Sequence, residues 1–233
     1  MMAKITTLGF DADDTLWHNE RVFRLTEERF ASLLGDYTDK DHLAERLLAA
    51  EKRNVLHYGY GVKGFTLSMI ETAIEVTDRQ VPADVIAEIL EAGREMMSHP
   101  VEPLPYVEET LKKVKASFKL VLITKGDLFD QERKVTASGL DVYFDAIEIV
   151  SEKTDDTYRS LFSRHGSGPG EALMIGNSLK SDILPALDAG AYGAHVPYDL
   201  TWALEEADEP SGHDRFYRLD HIGKVPQLLA RLS

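Results

Sequence analysis

The chain has 233 residues, 43% hydrophobic and 28% charged, the balance of a soluble globular protein with one large domain or a core carrying an insertion. A formal charge of −14 argues against nucleic-acid partners, which need clustered Lys and Arg, and means that any anionic ligand must be drawn in by a local cation cluster. The absence of Cys excludes disulfides, thiolate metal centres and Cys nucleophiles and agrees with a cytoplasmic location, while no signal peptide or membrane-spanning apolar run is visible.

Residues 5–10 read as a short buried strand. The chain then turns acidic, through Asp11, Asp13 and Asp14. A buried parallel strand that ends in carboxylates delivers them to the carboxyl edge of a sheet, where open α/β sheets bind ligands. Grouped carboxylates repel one another and resist desolvation, so a cation is expected among them, most simply Mg²⁺. Asp14 and Thr15 read as turn and capping residues.

The period then changes to that of helices. Residues 18–34 place Val22, Leu25, Phe30 and Leu33/Leu34 on one stripe, and residues 43–56 repeat the pattern. A loop with three glycines is expected over 57–65, then helices over 66–77 and 83–97, with Pro82 at the start of the second. Asn19 reads as a helix cap, and His57, His165 and His195 as scattered core or surface residues. Three prolines at 100, 103 and 105 mark a boundary.

Beyond it, helices and strands alternate. A helix is predicted over 106–117 and a strand over 119–124, followed by Lys125. A helix over 129–138 precedes a strand over 144–150, which runs into Lys153. A helix over 157–165 precedes a strand over 172–176, which leads to Asn177, Ser178 and Asp182, with Ser178 as a helix cap. A helix over 183–189, a strand over 191–196, a short strand over 216–219 and a helix over 225–232 complete the chain. Alternation of this kind implies a right-handed parallel sheet. The fold class is therefore α/β, a Rossmann-like parallel-sheet core (1–17 and 99–233) with an inserted all-helical domain (18–98).

Strand ends of a parallel sheet gather on one edge. That edge collects Asp11, Asp13, Thr124, Lys153, Asn177 and Asp182: two carboxyl groups close in sequence, a hydroxyl, an ammonium and a further carboxylate. Asp11-x-Asp13-x-Thr15, Thr124 after an apolar strand, Lys153, and Gly176-Asn177-Ser178-x-x-x-Asp182 occur in an order that resembles the haloacid dehalogenase-like hydrolase superfamily. The helical insertion is similar to that family's cap between its first two motifs.

The resemblance implies that Asp11 is a nucleophile forming an aspartyl-phosphate and also a metal ligand. Asp13 corresponds to the general acid/base, with its backbone carbonyl on the metal. Asp182 and Asn177 complete the Mg²⁺ site, and Thr124 and Lys153 hold phosphate oxygens. Family members that release halide, or that cleave phosphonates, lack an acid at the position of Asp13, so its presence favours phosphate-ester hydrolysis of a small phosphorylated metabolite. A sugar-phosphate mutase or a non-catalytic phosphometabolite sensor are the alternatives. Three features depart from the pattern. Asn177 stands where many members have Asp, Thr154 rather than proline follows Lys153, and Lys125 stands where Asn is frequent and becomes a candidate phosphate contact. Tyr60 and Lys63 in the cap are expected to meet the leaving group, and a cap-mediated homodimer is a conceivable assembly.

Overall fold

The computed structural model describes residues 4–232. Among them six strands form one sheet: β1 (Thr7–Phe10), β2 (Lys119–Lys125), β3 (Ala146–Val150), β4 (Ala172–Gly176), β5 (Tyr192–His195) and β6 (Phe216–Arg218). Their spatial order is β3-β2-β1-β4-β5-β6, and every pair is parallel. Order and direction make the sheet a doubly wound α/β type. The sheet strands read from sequence are all present, with ends shifted by one or two residues.

The described residues divide into two compact units. The sheet unit takes the chain as far as Glu20, then Val101–Lys125, then from Gln131 onward. The helical unit takes Arg21–Pro100 together with Gly126–Asp130. This division adds a five-residue piece, just after β2, to the insertion expected from sequence.

In the sheet unit, side chains alternate across the strands. Leu120 and Leu122 of β2 join Leu8, Phe10, Leu173 and Ile175 in one core, sealed by α5 (Val107–Lys115) and α9 (Val225–Leu232). Val121, Ile123 and Met174 point the other way, into a core closed by Tyr158 and Phe162 of α7 (Asp155–His165). With apolar layers on both faces, β1 and β4 are buried along their whole length, as central parallel strands must be. The segments that leave and rejoin this unit run side by side: Trp17 pairs antiparallel with Pro103, and the Leu104 N–H donates to Leu16 O at 2.9 Å.

The helical unit contains α1 (Glu20–Leu33) from Arg21 onward, α2 (Lys40–Tyr58), α3 (Val62–Val76) and α4 (Ala83–Ser98). Phe30, Leu43, Leu47, Phe65, Met69, Ile89 and Met96 form its core. The loop expected over 57–65 is a correction: α2 runs on to Tyr58 and α3 begins at Val62, leaving three residues between them. Gly64 lies inside α3, buried, so its small size serves packing rather than a turn.

Gly93 of α4 is a second packing glycine. A Cβ at this position would lie 2.5 Å from Thr66 Oγ1, a short branched side chain that donates to Val62 O and has no room to yield. At an exposed helical site alanine would stabilise by about 1 kcal/mol relative to glycine. Here the sign reverses: Gly93→Ala is expected to lower unfolding stability by about 1–3 kcal/mol, the cost of overpacking. Denaturant titration reads the change, and a stabilised variant would refute the close crossing of α3 and α4.

Candidate active site

Asp11 is the first residue beyond β1, and its backbone N–H donates to Ile175 O of β4 at 2.9 Å. That bond fixes the carboxylate at the sheet edge between the two central strands. Lys153, three residues past β3, reaches the same point. Its Nζ lies 2.5 Å from Asp11 Oδ1 and 2.7 Å from Asp182 Oδ1. All three side chains are buried, that of Lys153 being 2% exposed.

Asp182 arrives through a tight return. Residues Leu179–Ile183 form a π-helical turn, a rare geometry that often marks functional positions, and it leads into α8 (Leu184–Asp188). Ser178 caps the turn by accepting from the Ser181 N–H, as its sequence position suggested. The Ser178 N–H donates to Asp182 Oδ2 at 2.9 Å. The return works only against a glycine, because a Cβ on Gly176 would sit 2.3 Å from Asp182 Oδ2. Tyr158, fully buried, donates its hydroxyl to Ser181 O at 2.9 Å and ties the turn to α7.

Burial pushes the Asp11 carboxyl up to about 7; the neighbouring Asp182 charge adds to this, against the pull of Lys153 and Thr15. Burial also works against the charge on Lys153, yet Asp11 and Asp182 outweigh it and hold the ammonium well above its ordinary range. Thr15, read from sequence as a turn residue, is part of the cluster. Its hydroxyl lies 2.7 Å from Asp11 Oδ2 and 3.2 Å from Asn177 Oδ1, and it accepts from the Asn177 N–H at 3.0 Å. The Asn177 carbonyl in turn accepts from His195 Nε2 at 3.0 Å, so this buried histidine supports the end of β4.

Asp13 points into different surroundings. Its carboxylate accepts from Trp17 Nε1 at 2.8 Å, from Gln131 Nε2 at 2.9 Å, and from Lys134 Nζ at 2.7 and 2.8 Å. Burial opposes the charge of Asp13, but Lys134 and the hydrogen bonds from Lys134, Gln131 and Trp17 win and hold the carboxyl below the usual range. Gln131 and Lys134 lie on α6 (Leu128–Ser138) and were not singled out from sequence; their spacing of three on the helix that follows Thr124 was the available signal. Gln131 Nε2 also lies 2.8 Å from both Thr124 Oγ1 and Lys125 O. Thr124 is thereby brought to the same frame as Asp13.

Asp14 performs the capping expected of its type: it accepts from the N–H groups of Asn19 (2.8 Å) and Glu20 (3.0 and 3.1 Å) at the start of α1. Burial raises its carboxyl to about 8. The Asn19 side chain, expected as that cap, instead accepts from Lys134 Nζ at 3.1 Å. The Lys125 ammonium pairs with Glu205 Oε1 and Ser181 Oγ, both at 2.7 Å, with Glu152 at 3.5 Å. Glu205, unmarked in the sequence, also accepts from Ser178 and Ser181 and so fastens the segment after β5 to the return that carries Asp182. Within the helical unit, Lys63 pairs with the Asp127 carboxylate at 2.9 and 3.0 Å, and Tyr60 lies in the connection between α2 and α3.

The donor set suits a hard cation. Two buried carboxylates share one ammonium, leaving a net negative charge in a site of oxygen donors, with the Asn177 amide oxygen linked to it through Thr15. Among the described residues no three acidic, His or Cys side chains converge on one point. Two carboxylates match the habit of Mg²⁺, which takes few protein carboxylates and keeps water in its shell.

A 132-residue stretch is 32% identical to N-acylneuraminate-9-phosphatase of Rattus norvegicus, covering 54% of this chain and 52% of that protein. The chain thus spans about half the length of the curated relatives it matches first. A crystal structure of a haloacid dehalogenase-like family hydrolase from Xanthomonas campestris superposes with a TM-score of 0.87 at 43% identity, over 98% of this chain and 91% of that one. A putative hydrolase of the same family from Bacillus subtilis, bound to magnesium, shares the fold at 17% identity, with a TM-score of 0.67 over 97% and 99% of the two chains. Residues 5–190 match the family model described as haloacid dehalogenase-like hydrolase, and the chain belongs to that family.

Proposed function

We propose that this chain is a Mg²⁺-dependent phosphatase that hydrolyses small phosphate monoesters through a phosphorylated Asp11. The observation that carries the reading is the buried Asp11–Lys153–Asp182 cluster at the sheet edge, with a second carboxylate, Asp13, two residues along and held apart from it. The relative from Rattus norvegicus, itself named a phosphatase, supports the reaction class.

Asp11 and Asp182 would hold the cation through their side chains, with Asn177 and the Asp13 carbonyl as further oxygen donors. When bound, Mg²⁺ supplies positive charge against the repulsion between an attacking carboxylate and a phosphate dianion. Lys153 and the Thr124 hydroxyl are the groups suited to the non-bridging phosphate oxygens. An Asp11 carboxylate oxygen attacks phosphorus, the ester P–O bond breaks, and the departing alkoxide oxygen takes the proton that Asp13 binds from solvent before the step, against the pull of Lys134. Water then attacks the phosphorus of phospho-Asp11 while Asp13 takes its proton back. The Asp11–phosphorus bond breaks, and inorganic phosphate leaves. The helical unit acts as the cap that selects the leaving group, Tyr60 and Lys63 being its candidate contacts.

Release of inorganic phosphate from a panel of phosphorylated metabolites tests the reading. Turnover is expected with Mg²⁺, is lost on adding EDTA, and falls about a thousand-fold or more in Asp11→Asn, as removal of a nucleophile demands. Binding of phosphate esters without turnover, with or without Mg²⁺, would contradict it and identify a sensor instead.

A second expectation needs no substrate. Lys153→Met leaves two buried carboxylates without their counter-ion and should cost about 3–5 kcal/mol of stability in metal-free buffer. Adding Mg²⁺ should raise the melting temperature of this variant more than that of the wild type. Equal shifts in both proteins would mean that the cation does not bind beside Lys153.

A further inference from the structure

The mechanism leaves unexplained why two buried polar side chains of α6 converge on Asp13. Lys134 is 8% exposed and Gln131 2%. They lie three positions apart, on one face of the helix. Lys134 Nζ spans both carboxylate oxygens of Asp13 and also meets Asn19 Oδ1. Gln131 Nε2 reaches Asp13 Oδ2, Thr124 Oγ1 and Lys125 O from a single nitrogen. Its own oxygen, buried, has no hydrogen-bond partner among the described residues.

Stability alone does not account for this. Burying a lysine and an amide costs desolvation, and an apolar pair of similar volume usually does as well or better. The arrangement also fixes directions. Gln131 Nε2 lies 2.8 Å from Thr124 Oγ1 and so fixes the place of the threonine side chain beside Asp13. Trp17 and Lys134 hold Asp13 Oδ1, Gln131 and Lys134 hold Oδ2, and 23% of the side chain is left open.

We propose that Lys134 and Gln131 are positioning residues: together they aim the Asp13 carboxyl at the leaving-group oxygen and at the hydrolytic water, and lock it in register with Thr124. The proposal rests on the phosphatase reading and deepens it. Neither residue needs to touch the substrate. Their effect falls on the two proton transfers and leaves the grip on the phosphate, through Lys153 and Thr124, in place.

The test compares Lys134→Met with Lys134→Arg and the wild type on two esters, p-nitrophenyl phosphate and glycerol phosphate. The aryl leaving group departs without a proton, whereas the alkyl one needs it. For Lys134→Met with the aryl ester, kcat should fall about ten- to a hundred-fold, within the range of a general acid–base contribution, with KM nearly unchanged. Its first turnover should survive, seen as a burst of about one p-nitrophenol per site, because phosphorylation of Asp11 proceeds and only water activation is slowed. Glycerol phosphate should lose about tenfold more and show no burst, and Lys134→Arg should recover most of both losses. A merely structural salt bridge would reduce the two esters in equal proportion and shrink the burst. That result, or kcat within about twofold of wild type on both esters, overturns the proposal. If Lys134→Met does not fold, Gln131→Leu, which keeps the ion pair, is judged by the same ratio between the esters. A wild type that turns over neither ester overturns the phosphatase reading and this proposal together; an active wild type with an indifferent Lys134→Met overturns this proposal alone.

Discussion

One ammonium group placed between two buried carboxylates holds the site together. Lys153 Nζ reaches Asp11 and Asp182 from a strand end more than a hundred residues from the first and nearly thirty from the second in the chain. Without it, the end of β1 and the return after β4 would bring two anions together out of water, at a heavy cost in stability. The parallel sheet makes the meeting feasible, because strands that run the same way end on the same edge. The small residue at Gly176, the π-helical turn and the Tyr158 hydroxyl then bring Asp182 back over that edge.

Two aspartates that stand two residues apart in sequence are driven in opposite directions by their surroundings. Asp11 lies among buried carboxylates and is raised; Asp13 lies against Lys134 and is lowered. The two directions are those of the chain without a cation: a positive charge bound beside Asp11 would favour its ionised form, while Lys134 already favours that of Asp13. Pairing with lysine also answers the difficulty posed by a chain of charge −14. Three lysines, at 125, 134 and 153, are drawn into one region, and each is matched to specific carboxylates rather than spread as a basic patch. The region therefore stays near neutrality while keeping cations beside the groups that an anion would meet.

The parts legible in the sequence were those carried by period and by position at strand ends. Apolar runs with flanking turn residues located β1, β2, β4 and the helices, and the strand-end rule brought Asp11, Lys153 and Asp182 to one edge. What escaped was of two kinds. Gln131, Lys134 and Glu205 act through side-chain contacts made across the fold, and beyond the spacing of the first two on α6 nothing local marks them; Thr15 stood in the first motif, but its contacts to Asp11 and Asn177 did not show in the sequence. Lys134 looks like any polar residue of an amphipathic helix until its neighbours across the sheet edge are known. The second kind is glycine: three in the nine residues 57–65 suggested a long loop, but Gly64 is a packing residue inside a helix. Lys125 shows the same limit, since its charge was legible but its partner, Glu205, comes from the far end of the chain.

The most direct test is to stop the reaction in acid during turnover and to map the phosphoryl group by mass spectrometry of the digested chain. The account predicts a covalent adduct on the carboxylate of Asp11, formed as substrate is consumed and absent when substrate is exhausted. A phosphoryl group on any other side chain, or steady turnover with no adduct at any quench time, would contradict it.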